Sequence, residues 1–78
     1  MTPVSFAQQT VVFAKDQPQY LELPAHVSAH GVVTTCWEFS VEELCELLKT
    51  KRIWLQTLTY GQALQPLRPS VEIPIELG

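Results

Sequence analysis

Four side chains between positions 26 and 45 have the chemistry to bind a soft metal: His26, His30, Cys36 and Cys45. Structural zinc sites present ligands in close pairs of the C-x2-C kind, because one chain reversal then offers two donors at once. No such pair exists here, and along an extended strand His26 and His30 would stand about 13 Å apart. Nucleophilic catalysis asks for an activated Ser or Cys beside a base that is itself oriented. Cys36 and His30 flank one turn, yet Asp16, the single aspartate, is not placed to orient that histidine. Glu42, Glu43 and Glu46 are the only clustered carboxylates, and their pattern suits the solvated face of a helix. No glycine-rich turn opens that helix, so no phosphate or oxyanion cradle is expected. The residues therefore predict no catalytic set, no metal and no cofactor, in a protein that is not an enzyme, with Cys36 and Cys45 as buried free thiols.

The aromatic residues say more. Trp37, Phe39, Trp54 and Tyr60 lie on predicted strands either side of the helix, and core packing is their ordinary role. Both strands, however, carry bulky groups on both parities, more than one sheet face above one short helix can cover. The remainder suits a subunit interface or a partner surface, where Trp and Tyr are enriched. The partner-binding candidates are Trp37, Trp54, Tyr60 and Gln62, with Arg52 beside them.

These residues must be positioned by strands and one helix. Thr10–Lys15 is β-branched and aromatic as strands prefer, and DQP (16–18) supplies a turn. From Tyr20, the residues Leu21, Leu23, Ala25 and Val27 share one parity against Glu22, His26 and Ser28, which predicts a half-buried strand. Pro24 lacks a donor and places that strand at an edge or a bulge. Ala29-His30-Gly31 turns the chain into a returning strand over 32–39. Ser40 then opens the best-specified element. It stands three residues before Glu43 in a capping box, and Val41, Leu44, Cys45 and Leu48 follow at helical spacing, with Leu47 widening the stripe. Acids in the first turn and Lys49, Lys51 and Arg52 at the end match the helix dipole. The spacing predicts a helix over 41–50. RIWLQTLTY (52–60) reads as another strand, ended by Gly61, and VEIPIEL (71–77) alternates as an edge strand with Val71, Ile73, Ile75 and Leu77 inward. The expected fold is α+β: a small, mostly antiparallel sheet of four or five strands with one short helix packed on one face, in the order βββαββ.

Composition narrows the function classes. The chain has 78 residues, 46% hydrophobic and 17% charged, too apolar for disorder and too short for two cores, which gives one domain over 1–78. A net charge of −3 argues against a nucleic-acid partner, since phosphate neutralisation needs a basic surplus. Two cysteines are no disulfide framework, MTPVSFAQQT is unlike a secretory leader, and no apolar run approaches a membrane span. The expectation is a cytosolic, reduced protein with no membrane partner. So much apolar surface in so small a body points to a homo-oligomer.

The words QPQY (17–20), LPA (23–25), TTCW (34–37), KRIWLQ (51–56) and YGQALQP (60–66) resemble a group of small proteins of tailed phages and prophages. The resemblance spans roughly residues 16–67, and the helix departs from the group's more basic pattern in being acidic at its start. It implies a phage-encoded accessory protein in the host cytoplasm that binds a host (bacterial) protein stoichiometrically, as inhibitors of defence systems do. Two other readings stand beside it. One is a protein that sequesters a nucleotide in an inter-subunit pocket with Arg52 and Arg68. The other is a minor virion or assembly component.

Overall fold

The computed structural model describes residues 1–17 and 22–77. Tyr20 and Leu21, which opened the predicted second strand, lie outside them. The fold is α+β and antiparallel: among the described residues there are two small sheets, five strands in all, and one α-helix. β1 (Thr2–Val4) pairs with β5 (Cys36–Glu38), Pro3 facing Trp37. The three-stranded sheet has the order β2 (Val11–Phe13), β3 (Leu23–Val27), β4 (Val33–Thr34).

Local chemistry explains most of these boundaries. β2 stops where Ala14 turns left-handed (φ 61) and the Gln17 N–H donates to the Ala14 carbonyl. The turn therefore begins two residues before the predicted DQP segment. The β3–β4 turn is closed by Ser28, whose Oγ accepts from the His30 and Val32 N–H groups. Gly31, with φ 84, supplies the left-handed residue that the reversal needs. Pro24 sits in the central strand rather than an edge strand, but β4 pairs only with His26 and Val27, so at Pro24 the ladder partner is Val12 alone. A missing donor is tolerated there because no strand asks for it on the other side.

The expected single strand over 32–39 is interrupted. Val33–Thr34 belongs to one sheet and Cys36–Glu38 to the other, with Thr35 as the break. One segment thus joins the two sheets, and β1, which the sequence pattern did not disclose, completes the second.

The helix α1 (Val41–Thr50) forms where expected. Ser40 accepts from the Glu43 N–H, and the Glu43 carboxylate accepts from the Ser40 N–H at 2.8 Å. Lys51 ends the helix in a left-handed cap (φ 58), its N–H donating to the Leu47 carbonyl. All five strands precede the helix. The two segments expected as later strands take other forms. Residues 52–59 belong to no strand, Tyr60 enters a turn, and within 71–77 the chain bends and closes a 3-10 turn at Ile75–Leu77. Both have strand-like sequence, but a strand requires a neighbour, and among the described residues none pairs with them.

The core is correspondingly slight. Pro24 and Ala25 are the only buried residues among those described, and no helix residue is buried. The helix stripe predicted to face inward points to solvent at Val41, Leu44 and Leu48, the last 78% exposed. Cys36 and Cys45, expected to be buried, are exposed free thiols. On the helix the reason is plain: nothing among the described residues buries the stripe that Cys45 belongs to.

Candidate functional site

The five partner-binding candidates fall into three places. Trp37 projects from β5, half-exposed, its indole N–H donating to Thr35 Oγ1 at 2.9 Å. That bond ties the ring to Thr35, the residue that separates β4 from β5.

Arg52 and Trp54 come together just beyond the helix. With Phe39 and Leu47 they line an open cleft of about 260 Å³, which Glu43 and Glu46 also border. Trp54 nevertheless remains 88% exposed. A second shallow cleft of about 440 Å³ lies beside it, lined by Met1, Thr2, Glu38, Phe39, Ser40 and Glu43. The terminal amine of Met1 forms an ion pair with Glu43 between the two. That amine, together with the Ser40 N–H and hydroxyl, holds the Glu43 carboxyl below its ordinary range. Glu43 was legible as a helix-capping residue, whereas its bond to the chain terminus left no signal in the sequence.

Tyr60 and Gln62 meet at a third place. Tyr60 (φ 54) and Gly61 (φ 79) are both left-handed, and the Gln62 N–H donates to the Thr59 carbonyl at 2.9 Å. Two successive positive φ angles closed by this bond make a type I′ turn, the usual two-residue connector of antiparallel strands. Gly61 meets that requirement freely, and Tyr60 meets it with a full side chain whose ring is 82% exposed. The flanks of the turn carry Leu55, Leu58, Leu64 and Leu67, all exposed. Sequence periodicity had placed the first two on a strand. The last two lay in a segment read only as a connection.

The candidate metal ligands lie on separate elements. His26 is in β3 opposite Thr34, His30 in the β3–β4 turn, Cys36 in β5 opposite Val4, and Cys45 on the helix. Among the described residues no three His, Cys, Asp or Glu side chains form a group able to hold a metal ion, and no helix is long and apolar enough to cross a membrane.

Comparison with protein-family models, curated proteins and solved structures finds no match to this chain.

Proposed function

We propose that this chain is a small phage-encoded accessory protein that works by binding. It self-associates and occupies a surface of a host bacterial protein in the host cytoplasm, in the manner of an inhibitor of a defence system. The observation that carries this reading is the display of Trp54 and Tyr60. Two large rings stand almost wholly in solvent on an apolar arm, with Arg52 and Gln62 adjacent to supply polar contacts. Rings of this kind, with an arginine near, make up the energetic centres of protein interfaces. The phage-like words around them, KRIWLQ and YGQALQP, are the same residues, which supports an origin in a virus-encoded effector.

Nucleotide sequestration is the second reading, and the shared cleft of Arg52, Trp54 and Phe39 favours it, since a cation beside stacked rings suits a base and its phosphate. Glu43 and Glu46 border the same cleft and oppose an anion there, which ranks this reading below the first.

Affinity capture from an infected host separates the two. Retention of a host protein in fixed ratio, abolished by Trp54→Ala and Tyr60→Ala, is the expected result. A nucleotide that raises the melting temperature at micromolar concentration, with no host protein retained, would replace the first reading by the second.

A further inference from the structure

The surface left open by this chain is large, apolar and divided by charge. A compact monomer of this mass exposes about 4,800 Å², whereas this chain exposes 7186 Å². The excess is roughly 2,400 Å² per chain, or about 4,800 Å² for a pair, and half of that already reaches the size of a permanent interface. The radius of gyration agrees: 14.0 Å, against about 11.5 Å for a compact chain of this length.

Two apolar surfaces make up much of this excess. One is the helix stripe Val41, Leu44 and Leu48, and the other is the arm after Lys51. Their charges are complementary. From Glu46 to Glu72 there is no carboxylate, and Lys49, Lys51, Arg52 and Arg68 lie in between. The residues up to and including Glu46 carry six carboxylates and one lysine, Lys15. The stretch from Lys51 to Ser70, with Lys51, Arg52 and Arg68 and no carboxylate ahead of Glu72 and Glu76, and the acidic body of the same chain suit reciprocal contact between two copies, satisfied twice in a two-fold pair.

We propose that two copies exchange arms, the apolar arm of each lying along the Val41–Leu44–Leu48 stripe of the other. This rests on the self-association reading above and adds its geometry. Leu55 and Leu64 stand exposed on the two flanks of the Thr59–Gln62 turn, with Trp54, Leu58 and Tyr60 exposed beside them. Leu55 and Leu64 meet the second copy, and Trp54 and Tyr60 are left for the host protein.

The test uses the purified full chain, without any host protein. Sedimentation at tens of micromolar is expected to give twice the chain mass of 8.8 kDa. A dimer mixed from isotope-labelled and unlabelled chains is expected to show contacts between the Leu55 or Leu64 methyls of one copy and those of Leu44 or Leu48 of the other. Leu48→Glu is expected to weaken the dimer at least about tenfold. A monomer, whether it holds its arm against its own helix or leaves it in solvent until a different protein binds, would overturn both the exchange and the self-association reading. A dimer with these contacts only inside each chain, or one of unchanged affinity in Leu48→Glu, would overturn the exchange alone.

Discussion

The first fifty residues and the last twenty-eight obey different rules. In the first part every strand has a partner, the helix has both caps, and the turns between elements close their own hydrogen bonds. In the second, no described residue from 51 to 74 belongs to a strand or helix, and its backbone bonds close single turns at Thr59–Gln62 and Pro74–Leu77. Yet the second part is the more apolar at its surface, with Trp54, Leu58, Ile73 and Ile75 all mostly exposed. A segment rich in apolar side chains and poor in internal bonds has its stabilising contacts elsewhere. The comparison teaches that the body is built to hold a shape and the arm to meet a surface.

The sharpest way to break that contrast is to strike the body at its one sealed point. Ala25 is fully buried in β3. Ala25→Leu is expected to cost about 1–3 kcal/mol through overpacking, read as a lower midpoint in denaturant unfolding. An unchanged midpoint would mean that the body is as open as the arm.

A smaller effect is expected at the helix start. Ser40→Ala removes the acceptor for the Glu43 N–H at 3.1 Å, which should cost about 1 kcal/mol of stability. Circular dichroism on heating would show it as a reduced melting temperature, and no shift would mean that the helix is held by its stripe rather than by its cap.

Acid should produce the mildest change. The Glu43 carboxyl is held below its usual range in the folded chain, chiefly by the Met1 amine and then by Ser40. Its contribution is therefore present above the unfolded value near 4.5 and is lost as pH falls below that through the lowered folded value. Glu43→Gln should flatten stability between those limits relative to the parent chain. A variant whose acid profile overlays the parent's would assign the dependence to other carboxylates.

How much of this was legible beforehand follows the same division. The helix was readable to its ends, because Ser40 and Glu43 satisfy each other locally and the stripe repeats within ten residues. β2, β3 and the Gly31 turn were readable for a similar reason, each needing only short-range alternation and a left-handed glycine. The break at Thr35 was not, since VVTTCWEF reads as one run of strand-forming residues, and the pairing of its second half with β1 from the far N-terminus divides it between two sheets. In the arm, alternation predicted a strand over 52–60 that does not form, since the pattern carried no information about a neighbour to pair with. At 71–77 the predicted strand is likewise missing, as Pro74 begins a 3-10 turn instead. Of the candidate site, the ring types and their excess were legible; their distribution over three places, with Arg52 beside Trp54 and Gln62 beside Tyr60, depended on the path of the chain.

The turn at the tip of the arm sets two demands against each other. A tyrosine in the left-handed region costs about 1 kcal/mol relative to the glycine or asparagine that such a turn favours. The position thus keeps a residue ill-suited to its own backbone and well-suited to whatever the ring meets. Tyr60→Asn would make the loop more robust and, in the same stroke, blunt it. Robustness and reach cannot both be maximised at that residue, and the chain has settled on reach.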